Sequence, residues 1–476
     1  MIKRTLFLIE LILVSLACTI IVSCNKKASV KNKLILTEAP VNIQLADYSG
    51  GASLRYLPGA RIISIETGRP GSNKTLTEDF FSACFPEISY DGRFMIFAAQ
   101  QNENDPWQIW EMNLKNLKYR QVTSGMEDCT DPAYVPGEQI VFSKLTLNDT
   151  VKSAHCLYIC NTDGSGLKQI TFGPDDNLST TVLSDGRLLT VKNQLFPVQG
   201  DPMLVVMRPD GTKAEIFYAG PEKRTLVSST HETADGRILF VESDNENLNA
   251  GRLVSISYNR PLHSKTDLTS GISGDFYNVL PLRSDKFLVS YRKSDSNRFA
   301  LYEFDPEKRT LGQEVFNDPD YNILDIVAYE AYERPKKLPS EVDMQVKTGL
   351  LLCQDINFSD QFLPDTSSSI RKALKIEVLG IDTTYGVVEV EKDGSFQLKV
   401  MADTPFRIRT LDKDGNVVGG PCSWLWLRPN ERRGCIGCHE NPEMVPENKV
   451  SLATKKSPVI IPVHITDVKE KIVELE

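Results

Sequence analysis

The 476-residue chain is 41% hydrophobic and is too long for one domain of typical size, so two or three globular domains are expected. Its 54 Lys and Arg residues against 63 Asp and Glu residues give a net charge of -9, and no basic stripe is present, which argues against a nucleic-acid partner. Glycine and proline are spread along the whole chain, a distribution that predicts many short strands joined by turns.

The first residues have the pattern of an export signal. Lys3 and Arg4 precede an apolar stretch from Leu6 to Val22, and the stretch ends in IVSC at positions 21–24. This ending resembles a bacterial lipobox, and the resemblance implies cleavage before the cysteine and attachment of lipid to its thiol. A plain signal peptide or an N-terminal anchor helix is the alternative, although Glu10 weakens a spanning helix because a carboxylate is costly in hydrocarbon.

Residues 1–23 are therefore predicted to be a lipoprotein signal peptide, with Cys24 as the lipidated residue. Residues 24–33 are polar and rich in lysine, as expected of a tether to the folded domain. The prediction gives the protein a lipid anchor and a location in the cell envelope. Asn25 stands where an aspartate is associated with retention in the inner membrane, so the outer membrane is the predicted location.

Between residues 34 and 339 the sequence repeats with a period of about 45 to 50 residues, which is typical of a β-propeller. In each repeat an apolar run follows a turn, and Asp-Gly turns supply the positive φ that a tight hairpin needs. The turns lie at Asp91-Gly92, Pro136-Gly137, Asp185-Gly186, Asp235-Gly236 and Ser284-Asp285. The units resemble the PD40, or TolB-like, propeller repeat. We therefore predict a mainly β chain that contains a TolB-like β-propeller of six blades, or of seven, in which N- and C-terminal strands share one blade.

A propeller does not by itself name a function, so side chains at its ends are the first candidates for binding. Trp107 and Trp110 either line such a binding surface or pack between blades. His155, His231 and His263 are scattered and have no Asp, Glu or Cys cluster beside them in the sequence. We predict that these histidines are structural or exposed rather than metal ligands.

Six cysteines lie between Cys24 and the last cysteine pair of the chain, and most are predicted to be small buried side chains. They are Cys84, Cys129, Cys156, Cys160, Cys353 and Cys422. A disulfide between Cys84 and Cys129 is conceivable, because these residues occupy similar places before successive repeats. Cys156 and Cys160 are too far apart to bridge, since on one strand their Cα atoms would be separated by about 13 Å.

A linker rich in proline and lysine, at residues 335–339, ends the repeats. Beyond it, short apolar runs alternate with polar turns such as Asp393-Gly394 and Asp414-Gly415, which predicts further strands. Residues 345–425 are therefore predicted to form a small β-sandwich with a core of its own.

The strongest chemical signal is CIGCH at residues 435–439, a C-x-x-C-H motif of the kind that attaches a c-type haem. In such a site both thiols add across the haem vinyl groups, and the histidine binds the iron as its proximal ligand. A structural zinc site requires a second Cys/His pair at a suitable distance, and none follows the motif. A thioredoxin-like dithiol occurs in a βαβ unit, whereas the surrounding sequence predicts strands and loops. Residues 426–476 are therefore predicted to be a short segment that holds one covalent haem c.

The sequence SWLW at residues 423–426, followed by LRPNERRGCIGCHE at 427–440, is similar to the family related to the hydrazine synthase alpha subunit. The resemblance implies a TolB-like propeller, a β-rich middle domain, and a haem attached through Cys435 and Cys438 with His439 as the proximal ligand. It does not imply catalysis, because the synthase subunit holds more than one haem and works in a complex, whereas this sequence has a single C-x-x-C-H motif.

The sequence leaves the sixth iron ligand open. His464 is the candidate distal ligand and Met401 of the predicted sandwich is another, whereas Met444 follows His439 too closely to reach the opposite face of a haem. A histidine or methionine in this position would favour electron transfer. An open position would allow binding of small ligands or peroxidase-like chemistry.

The arginines and tryptophans before the motif have two interpretations each. Arg428, Arg432 and Arg433 either pair with haem propionates or are ordinary surface charges. Trp424 and Trp426 alternate with leucines, so both face one side of a strand, where they pack on the haem edge or form the sandwich core.

These observations favour an exported lipoprotein that is a monohaem c-type cytochrome. In this interpretation the haem segment passes electrons to an unknown redox partner, and the propeller is a platform for a partner or ligand. The first alternative is a haem enzyme with an open iron site that acts on a small nitrogen or oxygen species. The second is a binding or scaffold lipoprotein without haem, whose cysteine pair is structural.

Overall fold

The structure is a computed structural model, and it describes residues 33–42, 56–69, 71–219, 225–226, 230–243, 250–282, 286–294, 296, 298–358, 372–437, 445 and 447–461. Strands make up nearly all of the regular structure in these ranges, and a short 3₁₀ turn lies at Leu452–Lys455. Among the described residues no helix has the length and apolar character needed to cross a membrane.

The first twenty-five strands form six antiparallel sheets, which are the blades of a propeller. These strands are Lys33–Pro40 (β1), Arg61–Glu66 (β2), Lys74–Thr75 (β3), Ser82–Ile88 (β4), Phe94–Gln100 (β5), Gln108–Asn113 (β6), Tyr119–Gln121 (β7), Cys129–Val135 (β8), Gln139–Asn148 (β9), Lys152–Asn161 (β10), Lys168–Gln169 (β11), Asp175–Val182 (β12), Leu188–Gln194 (β13), Met203–Met207 (β14), Glu215–Ala219 (β15), Thr225–Leu226 (β16), His231–Glu232 (β17), Arg237–Ser243 (β18), Arg252–Ser257 (β19), Thr266–Asp267 (β20), Asp275–Pro281 (β21), Phe287–Arg292 (β22), Ala300–Asp305 (β23), Thr310–Phe316 (β24) and Tyr321–Ala328 (β25). The second to sixth blades are β4–β7, β8–β11, β12–β15, β16–β20 and β21–β24.

The first blade is closed by the two ends of the propeller. Its strand order is β25-β1-β2-β3, and β25 pairs antiparallel with β1 from Leu34↔Ala328 to Pro40↔Tyr321. Strand β25 also contacts β4 and β21, the first strands of the neighbouring blades, so it takes the same inner place in its own blade. The predicted mainly β fold with a shared blade is confirmed, and the described residues form six blades.

The turns predicted from the repeats have the expected backbone conformation. Gly92, Gly137, Gly186 and Gly236 all have positive φ, between 72° and 107°, at the hairpins that join β4 to β5, β8 to β9, β12 to β13 and β17 to β18. Each hairpin then places an apolar strand between its neighbours, and these strands form the packed layers between blades. The fifth predicted turn, at residues 284–285, lies outside the described residues.

Eight strands in two sheets form a β-sandwich after the propeller. One sheet has the order β32-β26-β29-β33 and the other β28-β27-β30-β31. The strands are Thr348–Cys353 (β26), Lys375–Leu379 (β27), Thr384–Glu389 (β28), Phe396–Met401 (β29), Arg407–Leu411 (β30), Val417–Gly419 (β31), Arg432–Cys435 (β32) and Val459–Ile461 (β33). A core that includes Ile376, Leu398 and Phe406 fills the space between the sheets.

The sandwich takes both edges of one sheet from the range 426–476, where the sequence predicts a separate segment. Strand β32 pairs in parallel with β26, and β33 pairs in parallel with β29. Both are parallel pairings between segments far apart in the chain, which leave no local pattern such as a hairpin turn. The last propeller strand ends at Ala328 and the first sandwich strand begins at Thr348. The predicted bounds at 339, 345 and 425 remain predictions.

Candidate haem-attachment site

One residue of the C-x-x-C-H motif lies in a described strand. Cys435 is the last residue of β32, at the edge of the sandwich sheet. The other predicted site residues, which are Cys438, His439, His464 and the lipidation residue Cys24, lie outside the described residues, and so does Met444. The geometry available for the motif is therefore that of Cys435 and its neighbours.

The side chain of Cys435 faces the interior of the sandwich and lies beside a second cysteine. In the parallel pairing of β26 and β32, Cys353 is the register partner of Cys435. Cys353 is fully buried in the sandwich core, and Cys435 is half-buried and packs against the same core. As a thiol, Cys435 donates a hydrogen bond from Sγ to the carbonyl oxygen of Gly437 at 3.0 Å. Both cysteines have free thiols in the structure.

The two neighbouring sulfurs shift each other's acidity in opposite directions. The hydrogen bond between the two side chains, followed by burial, raises the pKa of Cys353 well above its usual value. The same hydrogen bond, with the positive charge of Arg433 as a smaller contribution, lowers the pKa of Cys435 to about 7. Since the thiolate is the nucleophilic form, Cys435 is the more reactive of the two.

The backbone after Cys435 is tightly packed. A Cβ atom at Gly437 would overlap the carbonyl oxygen of Phe358 and would lie 3.0 Å from the carbonyl oxygen of Asp355. Only glycine allows this approach, because any other side chain would have to displace backbone. The conformation of the segment that begins the motif is thus fixed by the loop after β26.

The arginines before the motif have different partners from those expected of propionate ligands. Arg428 is buried, donates from Nη1 to Asp403 Oδ1 at 2.6 Å, and donates from Nε to the carbonyl oxygen of Asp210 in the propeller at 2.9 Å. Arg433 donates to Glu431 Oε1 from Nη2 at 2.8 Å. Arg428 therefore joins the two domains, whereas Arg432 is exposed.

The tryptophans before the motif also lie between the domains. Trp424 and Trp426 are each 2% exposed, and Trp424 Nε1 donates to the carbonyl oxygen of Phe196 in the propeller at 2.7 Å. The propeller residue Lys192 donates from Nζ to the carbonyl oxygen of Trp424 at 2.9 Å and lies 5.4 Å from the Trp426 ring centroid. These side chains form neither a haem edge in the described residues nor the centre of the sandwich core, and they anchor the sandwich to the fourth blade.

A buried acid completes this contact. Asp175 is fully buried and its Oδ2 atom lies 3.1 Å from Lys192 Nζ. Burial raises the pKa of Asp175 to about 6, although the Lys192 ammonium opposes the shift. Arg407 of the sandwich stacks over the Trp424 ring at 5.2 Å. The domain contact thus combines apolar rings with a buried ion pair.

Met401 and Cys435 lie at opposite ends of the sandwich sheet. The β26–β29 register pairs Cys353 with Phe396 and Thr348 with Met401. Met401 is thus five residues, or about 17 Å, from the level of Cys353 along the strand direction. The antiparallel return of β29 argues against Met401 as the sixth ligand, which stays a prediction.

The candidate residues of the propeller are packing residues in the structure. Trp107 is 4% exposed and packs on Tyr56 at a ring-centroid distance of 5.8 Å, and Trp110 lies in the layer between the first two blades. His155 is buried, with Nδ1 at 2.9 Å from Asp176 Oδ1 and Nε2 at 2.7 Å from the Tyr56 hydroxyl. Both ring nitrogens are satisfied, as expected of a structural histidine.

The sequence did not single out Cys353 or Glu431. The sequence predicts Cys353 as one of several small buried side chains, and its pairing with β32 places it beside Cys435. Glu431 is buried, and its carboxylate accepts hydrogen bonds from the backbone N–H groups of Lys213 at 2.7 Å and Arg428 at 2.8 Å. In the sequence, Glu431 follows a proline–asparagine pair and precedes two arginines. This pattern marks a charged turn, but it does not reveal a hydrogen-bond partner in another domain.

Comparison with known proteins agrees with this architecture. The family model described as the hydrazine synthase alpha subunit middle domain matches residues 336–440. Hydrazine synthase subunit alpha of Kuenenia stuttgartiensis is 23% identical over 541 aligned positions, which cover 86% of this chain. The chain spans 66% of the length of that relative.

The fold agrees as well. The structure of hydrazine synthase from Kuenenia stuttgartiensis superposes with a TM-score of 0.75 and 21% identity, over 89% of this chain and 71% of that chain. The family model, the sequence relative and the superposed structure all come from hydrazine synthase. Residues 336–440 of the chain thus belong to the family described as the hydrazine synthase alpha subunit middle domain, and the chain is similar to that subunit over most of its length.

Proposed function

We propose that the protein is an exported c-type haem protein that holds one haem through thioether bonds to Cys435 and Cys438, with His439 as the proximal iron ligand. The observation that carries the proposal is the C-x-x-C-H motif at the end of β32, inside the range that matches the middle-domain family. A chance occurrence of this motif in the matched domain is improbable for a chain with ten cysteines and five histidines.

The neighbourhood of Cys435 fits this role. Thioether formation needs a nucleophilic sulfur, and the neighbouring Cys353 side chain lowers the pKa of Cys435, which favours the thiolate. The strand end is held in place by pairing with β26 and by the close approach of Gly437 to Phe358. A bound haem would supply one-electron exchange at its iron.

Electron transfer is the activity we propose for the site, with the propeller as the platform for a redox partner or ligand. The relative found by sequence is named as a subunit, which supports a protein partner for this chain too. His464 remains the proposed distal ligand. The alternative of an enzyme acting on a small nitrogen or oxygen species requires an open sixth position on the iron.

The proposal includes a lipid anchor at Cys24 and a location at the outer membrane. It rests on the lipobox-like IVSC sequence and on Asn25 after the cysteine. Covalent haem attachment takes place outside the cytoplasm, so export and haem attachment support each other.

The test is to express the full chain with a cytochrome c maturation system, fractionate the cells, and stain a denaturing gel for haem. We expect stain at the position of the wild-type chain in the membrane fraction, and none for Cys435→Ala/Cys438→Ala. Cys24→Ala should move the stained protein out of the membrane fraction. Cys422→Ala, a substitution in the same domain, should keep the stain.

Carbon monoxide added to the reduced protein separates electron transfer from chemistry at an open iron. An unchanged absorption spectrum is expected for two strong axial ligands, and a shifted Soret band would favour the enzyme. A wild-type chain without stain would overturn the haem proposal and leave the scaffold lipoprotein as the interpretation.

A further inference from the structure

The register of the sandwich sheet brings two thiols within bonding reach. Cys353 on β26 and Cys435 on β32 are directly paired across hydrogen-bonded parallel strands. Such strands lie about 4.8 Å apart, and disulfides are found at Cα separations of about 4.4 to 6.8 Å. Residues paired in register project to the same side of the sheet, and here both side chains face the sandwich core.

We infer that Cys353 and Cys435 form a disulfide in the exported chain before haem is attached, and that this bond withholds Cys435 from thioether formation. The first half of the inference stands on the geometry of the pair and on the proposed export of the chain. The second half rests on the proposed haem function. The pair is then a thiol modification site that decides when the haem motif becomes reactive.

The other cysteine of the sandwich lacks this geometry. Cys422 follows β31, and its sulfur accepts a hydrogen bond from the backbone N–H of Ile408 at 3.2 Å. It is therefore engaged with β30 in the opposite sheet from β26 and β32. A chain that is oxidised during export has one cysteine in register with Cys435 among the described residues, which is Cys353.

The oxidation requires a partner disulfide of the thiol-oxidoreductase class. The Cys435 thiolate attacks that disulfide and forms a mixed disulfide, and Cys353 then displaces the carrier sulfur. The two thiols lose two protons and two electrons, and the carrier leaves as a dithiol. A dithiol reductant reverses the same steps and frees Cys435. The lowered pKa of Cys435 makes it the first nucleophile in the forward direction.

The experiment maps the linkage in the exported full chain, made in a bacterium without cytochrome c maturation genes. Free thiols are alkylated with iodoacetamide under denaturing conditions, and the protein is digested with trypsin without reduction. Cleavage after lysine and arginine gives peptide 348–371, with Cys353 as its single cysteine, and peptide 434–449, with both motif cysteines. We expect these two peptides to be joined.

Variants identify the sulfur that is used. The joined peptide should persist in Cys438→Ala and disappear in Cys435→Ala and Cys353→Ala. Cys422→Ala is the matched control and should leave it unchanged. Cys353→Ser is a second variant for the case that Cys353→Ala does not fold, and circular dichroism reports the fold of each. Complete alkylation of Cys353 in the wild-type chain would overturn the inference.

The consequence for haem is measured separately. With the maturation system present but its thiol reductant deleted, wild-type protein should lose most of its haem stain, and Cys353→Ser should retain it. Equal loss in both proteins would contradict the gating role. If the joined peptide is found but no variant shows haem stain, the disulfide is established and the haem function is excluded. The failure of one proposal is therefore distinguishable from the failure of the other.

Discussion

At the scale of single residues, Glu431 shows how the segment before the motif is held. Its side chain is fully buried, and its two oxygens accept from the backbone of the propeller at Lys213, from the backbone of Arg428, and from the Arg433 guanidinium. One carboxylate therefore fixes the start of β32 to the other domain. The residues that carry this domain contact lead directly into the C-x-x-C-H motif.

Substitution of Glu431 should be costly. Glu431→Ala would leave the Arg433 guanidinium, which is only 12% exposed, without its partner, and breaking a buried pair in this way costs about 3–5 kcal/mol. We expect a loss of that size in the free energy of unfolding measured by urea denaturation. Glu341→Ala is the matched control, since Glu341 also pairs with the Lys213 residue, through Nζ at 2.9 Å, but is exposed. Its loss should stay within about 1 kcal/mol, and equal losses would contradict this account.

At the scale of elements, the sequence predicts hairpin turns between neighbouring strands but not the pairing of strands that are far apart in the chain. The Asp-Gly turns of the repeats are predictable, because a hairpin turn needs positive φ and glycine provides it without a Cβ clash. The pairing of β32 with β26 is not, because parallel neighbours have no connecting turn. The role of Arg428 is missed for the same reason, since its partner Asp210 lies in a turn of the propeller.

Two turns of the same sequence type separate local from tertiary effects. Gly186 and Gly236 both follow aspartate, precede arginine and have φ near +80° to +90°. A Cβ atom at Gly186 would overlap the Lys336 carbonyl oxygen of the segment between the domains, whereas one at Gly236 would meet nothing within 4 Å.

Gly236→Ala should therefore cost only the left-handed backbone penalty of about 1–2 kcal/mol. Gly186→Ala should cost more, because Lys336 must also be displaced from its hydrogen bond with Ser184. Both values come from urea denaturation of the full chain. Equal costs would show that the contact with residue 336 adds nothing to stability.

At the scale of the whole molecule, the propeller and the sandwich are joined by a mixed contact. Trp424 and Trp426 bury their rings against the fourth blade, and Lys192 reaches the Trp424 carbonyl oxygen while paired with Asp175. Arg428 and Glu431 add hydrogen bonds to the same blade at the opposite end of its strands. This arrangement predicts that the two domains unfold together.

Removal of one anchor should separate the two unfolding transitions. Trp424→Ala deletes a ring that is 98% buried and its hydrogen bond to Phe196, and such deletions cost about 3–5 kcal/mol. We expect differential scanning calorimetry to show one transition for the wild-type chain and two for the variant, with the sandwich melting first. Val417→Ala, at a half-exposed position of the same domain, is the control and should keep one transition. A single transition in Trp424→Ala would contradict the coupling.

The shared first blade determines when the propeller can close as the chain emerges from one end. Strand β1 comes first in the propeller, and its inner neighbour β25 is separated from it by almost the whole propeller. Closing a loop of about 300 residues costs only about 1 kcal/mol more than closing one of about 100 residues. The sequence distance therefore has little effect on the free energy of folding. The distance does affect the time needed to complete the first blade, because β1 keeps an unpaired edge until residue 328 is available. A chain that folds from its first strand onward therefore exposes one unpaired edge of β1 until almost the whole propeller is available.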